Sequence, residues 1–233
     1  CPAGKTSCNM LDTVTGPVEY IWEGSTKELF VSDSITDISQ WSFEGIEKLH
    51  LGKKVEKIPE IAEKNLQITV EPENETFAVK EDMLYNKIEN RLIWCLPVKK
   101  GVATVASGTA VIDGGAFGQC EEITEIVIPA SVTSITKNYF YGNMKLERLI
   151  VDAANENYTA EDGVLYSKKD NRLMKCPEKK SGVVTVASGT AIISESAFTN
   201  CNGVTEVVLP STITKIEDYA FSGCSNLEKI TLP

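Results

Sequence analysis

The sequence predicts a β-rich solenoid, a chain wound into stacked short turns, and three observations predict it. The heptapeptide TVASGTA occurs at 104–110 and again, letter for letter, at 185–191. Sliding residues 74–152 onto 155–233 at a constant offset of 81 needs no gap and leaves 33 of 79 pairs identical. The heptapeptide is therefore only the best-kept patch of a duplication. Within it, a step of 23 residues links Phe117 to Phe140, Phe198 to Phe221, Ile112 to Ile135, Ile193 to Ile216 and Cys201 to Cys224. The other 35 residues of each 81 are one such unit carrying a 12-residue insertion.

The elements follow in order. Residues 1–26 match no unit and are expected to form an N-terminal segment or cap, with the repeat domain over 27–233. LFV (29–31), LHL (49–51) and ITV (68–70) open a ladder of short apolar strands. A hairpin is expected over about 82–95, where two apolar runs in DMLYNKIENRLIWC flank the polar turn 87–90. ATV (103–105), IVI (126–128) and LIV (149–151) resume the ladder. A second hairpin, GVLYSKKDNRLMKC over 163–176, precedes VTV (184–186), VVL (207–209) and ITL (230–232). One unit of this length buries too little to offset the ordering of its chain, so the units must stack. Stacking puts Ile126, Leu149, Val207 and Ile230 in one buried column and Ile128, Val151, Leu209 and Leu232 in a second. Phe117, Phe140, Phe198 and Phe221 make a third. On this reading the repeated heptapeptide is scaffolding, not a reaction carried out twice.

The segment AFTNCNGVTEVVLPSTITKIEDYAFSGCSNLEKITLP (197–233) follows the pattern AFxxCxxLxxIxLPxxVxxIxxxAFxxC. It resembles the BspA-like branch of the leucine-rich repeats, also called the Treponema pallidum type. EDGVLYSKKDNRLMKCPEKKSG (161–182) is similar to a hairpin segment interleaved in those proteins. The resemblance covers roughly 27–233; it departs at Asn143, where the cysteine column would continue, and in the shorter units before residue 74. It implies a leucine-rich-repeat solenoid of the α/β-horseshoe kind. Parallel strands would line its concave face, short irregular or helical segments its convex side, and two hairpins would be inserted. It also implies a secreted or surface protein, with adhesion to host matrix or cells among the family's roles, and it transfers no catalytic residues.

Chemistry finds little support in the residues. A formal charge of −10 argues against nucleic acid, which requires a basic face, and against anionic lipid. No apolar run approaches the roughly 18–20 residues of a membrane span. Cys1 suits either an arbitrary boundary or the lipid-bearing cysteine left when a lipoprotein leader is cut, so a lipid anchor there is the one membrane contact the sequence offers. The seven cysteines include no CxxC pair. Cys120, Cys201 and Cys224 are expected as small buried thiols in one column, and Cys1 and Cys8 are close enough to bond where the compartment is oxidising. His50 is the single histidine, with no nucleophile or orienting partner marked near it. GKT at 4–6 lacks the preceding strand and first glycine of a phosphate loop, and DAANEN (152–157) lacks the acid spacing of a calcium loop. No enzyme, cofactor or metal site is expected.

What remains is a surface. Outward strand positions form two rows, Phe30, His50, Thr69, Thr104, Val127, Ile150, Thr185, Val208 and Thr231 beside Glu28, Lys48, Gln67, Val102, Glu125, Arg148, Val183, Glu206 and Lys229. An apolar patch with a charged rim can mark a protein-binding face, although branched residues also simply favour strands. The expected function is an extracellular or cell-surface module that binds a macromolecule, chiefly protein such as a host matrix or cell-surface component. Its candidate contacts are His50, Glu125, Val127, Arg148, Ile150, Glu206, Val208 and Lys229. The alternative is a spacer that holds another domain away from the cell and has no ligand of its own.

Overall fold

Runs of four to seven residues that alternate apolar and polar can pair as strands with one face buried, and this chain uses little else. The computed structural model describes residues 7–9, 18–23, 26–43, 45–61, 65–118, 120–136, 140 and 142–232, and among these there is no helix. The helical option for the connecting arcs is thereby corrected. Among the described residues the arcs are turns, because Gly, Pro and Ser punctuate the units before an apolar stripe of helical period can develop. The chain forms two compact units, Cys1–Val98 and Lys99–Pro233.

In the first unit, β1 (Ser7–Asn9), β2 (Val18–Glu23) and β3 (Thr26–Val31) pair antiparallel. Then β4 (Lys48–Leu51) and β5 (Gln67–Val70) add in parallel. The register sets Leu29, Leu49 and Ile68 side by side in the core, above Ile35, Ile38, Phe43, Val55 and Leu66. A meander closes the unit: β6 (Phe77–Lys80), β7 (Met83–Asn86) and β8 (Arg91–Cys95), antiparallel throughout. The expected hairpin is thus the last two strands of three. FAVK hid the first because it lacks a clean alternation.

The second unit winds two parallel ladders around its core. One ladder is made of β9 (Lys100–Thr104), β11 (Glu122–Ile128) and β13 (Arg148–Val151), and then of β17 (Ser181–Thr185), β19 (Gly203–Val208) and β21 (Lys229–Thr231). The other uses two-residue strands, β10 (Val111–Ile112) with β12 (Ser134–Ile135) and β18 (Ile192–Ile193) with β20 (Lys215–Ile216). A second meander, β14 (Tyr158–Glu161), β15 (Val164–Ser167) and β16 (Arg172–Lys175), joins this ladder through the parallel pair β16–β18.

The nine expected ladder strands all exist, but as separate groups of three. Among the described residues β13 pairs only with β11, because the meander intrudes beside it: the Leu149 amide donates to the Gly163 carbonyl at 2.9 Å. Gly163 permits this approach, since a Cβ there would stand 2.8 Å from the Cβ of Arg148, and its φ of 78° suits glycine.

TVASGTA performs one mechanical task in both places. Its first residues end a strand, and ASGT closes a turn in which the Thr109 amide donates to Ala106 O and the Thr190 amide to Ala187 O, each at 3.2 Å. Gly108 and Gly189 occupy the third turn position with φ of 90° and 84°, which a type II turn requires. The phenylalanines stack in register as two pairs, with ring centroids 5.5 Å apart for Phe117–Phe140 and 5.0 Å for Phe198–Phe221. Ile126, Leu149 and Val207 are buried as expected. Ile230 and Leu232 are not, because Ile230 lies on the edge strand β21 and Leu232 just beyond it, and their exposure corrects the last rung of both aliphatic columns.

Candidate functional site

Strand pairing builds the outward rows directly. On β3–β4–β5, Glu28 faces Lys48, which faces Gln67, while Phe30 faces His50, which faces Thr69. On β9–β11–β13 the corresponding lines are Val102, Glu125, Arg148 and Thr104, Val127, Ile150. On β17–β19–β21 they are Val183, Glu206, Lys229 and Thr185, Val208, Thr231. His50, Glu125, Val127, Arg148, Ile150, Glu206, Val208 and Lys229 therefore all stand on these strands, divided among three sheets. Cys1, the candidate lipid anchor, lies outside the described residues, as does the Cys1–Cys8 pairing.

Each sheet carries one acid-to-base rung. Glu28 pairs with Lys48, Glu125 with Arg148 at 2.6 Å, and Glu206 with Lys229 at 2.9 Å. These are opposite-charge neighbours across adjacent strands, a placement that sets register and costs little at the surface. The Lys48 ammonium, donating to Glu28, holds that carboxyl below the usual range. Thr231 and Lys229 together do the same for Glu206, with the Thr231 hydroxyl donating at 2.6 Å.

The first unit concentrates its outward chemistry on His50. Its ring stacks on Phe30, centroids 4.1 Å apart and planes 6° from parallel. Nδ1 lies 2.6 Å from Thr69 Oγ1, and Nε2 lies 3.6 Å from Glu28 Oε2. Burial holds the imidazole below its ordinary range, partly offset by the Glu28 charge. The histidine is a packed rung of the sheet, held between the Phe30 ring, the Thr69 hydroxyl and the Glu28 carboxylate.

The second unit presents aliphatic surface instead. Val102 is 45% exposed, Ile150 37% and Val183 56%, beside the two acid-to-base rungs. Branched residues at these positions satisfy strand propensity, yet their exposure leaves apolar area uncovered.

A further feature was not visible in the sequence. Met144, Glu178, Lys179, Asn200, Asn202 and Gly203 line a hollow of about 280 Å³. Beneath it Lys175 Nζ pairs with Glu178 Oε1 at 2.9 Å, both side chains 3% exposed, and Glu178 Oε2 is buried without a hydrogen-bond donor among the described residues. Burial pushes the Glu178 carboxyl up against the pull of Lys175. In sequence, KCPEKK reads as a solvated charged turn, so only the fold reveals that two of its charges are enclosed.

Cysteine chemistry also departs from expectation. Cys120 is disulfide-bonded, as is Cys95, so of the expected column only Cys201 and Cys224 are free thiols, and Cys176 is a third free thiol outside it. At the position where the column skips, buried Asn143 takes over the thiol's work. Its Nδ2 donates to Phe117 O at 2.6 Å, as the Cys224 thiol donates to Phe198 O at 3.0 Å.

Comparisons with known proteins agree with this architecture. The chain is similar in fold to a leucine rich cell surface protein of Faecalibacterium prausnitzii, with TM-score 0.56 and 23% identity over 79% of this chain, and it spans 47% of that protein's length. It is also similar to the pneumococcal vaccine antigen PcpA, with TM-score 0.57 and 15% identity, covering 97% of this chain and 70% of that one. A comparison with curated proteins finds no match. The model of the BspA type leucine rich repeat region, in six copies, matches residues 103–181 and 169–233. Residues 103–233 amount to 131 of 233, more than half, and the chain belongs to the BspA-type leucine-rich repeat family.

Proposed function

We propose that this chain is a surface-exposed module that binds a protein partner on the outward faces of its parallel sheets, and that it does so without catalysis. The observation that carries the reading is the set of exposed aliphatic side chains on the second unit's two sheets, Val102 and Ile150 on one and Val183 on the other, set beside the Glu125–Arg148 and Glu206–Lys229 rungs. Uncovered apolar area edged by charge is the composition of a protein-binding patch. Strands fixed by register present it with little ordering cost on association. The surface naming of a structurally similar bacterial protein supports an extracellular setting, and adhesion to host matrix or cell-surface protein is the form of binding we favour.

The test separates binding from folding. Ile150→Asp and Val183→Asp change exposed side chains, so each should alter stability by no more than about 0.5 kcal/mol. The exchange Glu125→Arg with Arg148→Glu keeps the ion pair while inverting its direction. Binding to immobilised extracellular-matrix glycoproteins, measured by surface plasmon resonance, should weaken at least about tenfold in the aspartate variants, corresponding to loss of a contact of about 1.4 kcal/mol. Undiminished binding by all three variants would remove the site from these faces. Absence of binding by the unaltered chain to any matrix or cell-surface protein would favour the spacer reading.

A further inference from the structure

The duplication places cysteines at matched positions with different oxidation states. Cys95 and Cys120 are both disulfide-bonded. Their counterparts at the 81-residue offset, Cys176 and Cys201, are free thiols. The two stand together in the core of the second unit, each fully buried. Cys201 Sγ lies 3.5 Å from the Cys176 carbonyl oxygen and 3.4 Å from Pro177 O, which puts the Cys201 sulfur against the backbone at Cys176. The local frame is otherwise duplicated closely, since β7–β8 and β15–β16 carry register shifts at matching residues, Leu84/Tyr85 and Leu165/Tyr166.

We infer that Cys176 and Cys201 are the site of a second cystine, formed when the chain folds in an oxidising compartment. The third free cysteine, Cys224, is only half-buried, and its thiol donates to Phe198 O at 3.0 Å.

The step balances simply. Each thiol gives up its proton, one S–S bond forms between Cys176 Sγ and Cys201 Sγ, and the two electrons reduce an exchanging disulfide of the compartment to two thiols. Timing follows from burial. In the folded chain, hydrogen bonding by Cys201 and burial both hold the Cys176 thiol well above its ordinary range, so it attacks poorly once enclosed. In the open chain the neighbouring Lys175 favours the thiolate, and exchange can run before the core seals. The bridge is then a product of folding and not a switch thrown in the finished protein.

Peptide mapping decides the matter. The full chain is refolded in a glutathione redox buffer, denatured without reductant, alkylated and digested. A linked Cys176–Cys201 peptide, two hydrogens lighter than the sum of its parts, is expected, with Cys224 alkylated. Cys224→Ser should leave the link in place, and Cys201→Ser should leave Cys176 alkylatable. In a Cys95→Ala, Cys120→Ala chain, reductant should still lower the melting temperature by roughly 5–10 °C, the shift expected for closing a loop of this length. Should that variant fail to fold, the map of the unaltered chain still stands. Alkylation of both Cys176 and Cys201 after refolding would overturn the inference. So would a Cys201–Cys224 link, or glutathione adducts in place of the bridge.

Discussion

The two copies of the duplicated stretch, 74–152 and 155–233, agree in backbone and differ in filling. Asn90 and Asn171 both turn their hairpins with φ near +50°, a conformation asparagine tolerates. Asn74 and Asn155, each almost fully buried, make the same four hydrogen bonds. Asn74 donates to Gly52 O and Val55 O and accepts from the Thr76 and Phe77 amides. Asn155 donates to Pro129 O and Val132 O and accepts from the Asn157 and Tyr158 amides. The interior chemistry is not so constrained. Trp94, 2% exposed, is answered by Lys175, and Pro97 by Glu178, so one copy packs an indole where the other encloses an ion pair. Residues that satisfy backbone groups of a neighbouring turn fix the frame, while filling residues vary as long as the volume stays sealed.

That contrast can be broken most forcefully at Lys175. Lys175→Ala should cost about 3–5 kcal/mol in urea unfolding, because Glu178 is left enclosed without its counter-charge. Lys175→Met combined with Glu178→Leu should recover most of the loss, moving this copy toward the apolar filling of the other. A single-variant cost below about 1 kcal/mol would mean the pair is solvated, since exposed pairs contribute no more than that. The frame itself is tested next. Asn74→Ala and Asn155→Ala should each cost about 1–3 kcal/mol, and by similar amounts, because each strips donors from two buried carbonyls and an acceptor from two amides. Clearly unequal costs would show that one copy alone bears the frame.

The smallest effect is in the acid limb of stability. Asp37, held by Ser39 and then by Lys57, has its pKa lowered from 3.8 to about 2. Glu217 also falls to about 2: burial pushes it up, but Lys215 and Arg172 outweigh that. A carboxyl depressed in the folded state contributes stability that is fully present above its unfolded value and is lost as pH falls toward the folded one. The melting temperature should therefore drop between about pH 4.5 and 2, and Asp37→Asn with Glu217→Gln should flatten that drop. Glu178 has the opposite sign. Its raised carboxyl contributes stability below the ordinary 4.5 that is lost as pH rises through the folded value.

The sequence made the periodic parts legible. A period is a statement about stacking, and stacking fixes which strands pair, so the nine ladder strands, the two phenylalanine pairs and the outward rows could all be read from spacing. Three things could not. Two-residue strands such as Val111–Ile112 and Lys215–Ile216 are too short to show any alternation. The gap between β13 and β17 arises from where an insertion lands, which Gly163 permits but does not announce. The apposition of the Cys176 and Cys201 thiols, like the pairing of Lys175 with Glu178, depends on neighbours in space, and a one-dimensional repeat does not disclose them.

The reach of the buried asparagines has a consequence for how such a chain can change in length. Asn74 bonds carbonyls 22 and 19 residues earlier, and Asn155 and Asn143 bond carbonyls 26 and 23 residues earlier. Each amide thus measures the distance to the rung below, and the measure matches the local step. Adding or deleting a single residue inside that span pulls the amide off its targets, whereas adding a whole rung leaves every reach intact. A change of length that keeps these reaches intact therefore comes in whole rungs, and the 81-residue duplication spans three of them.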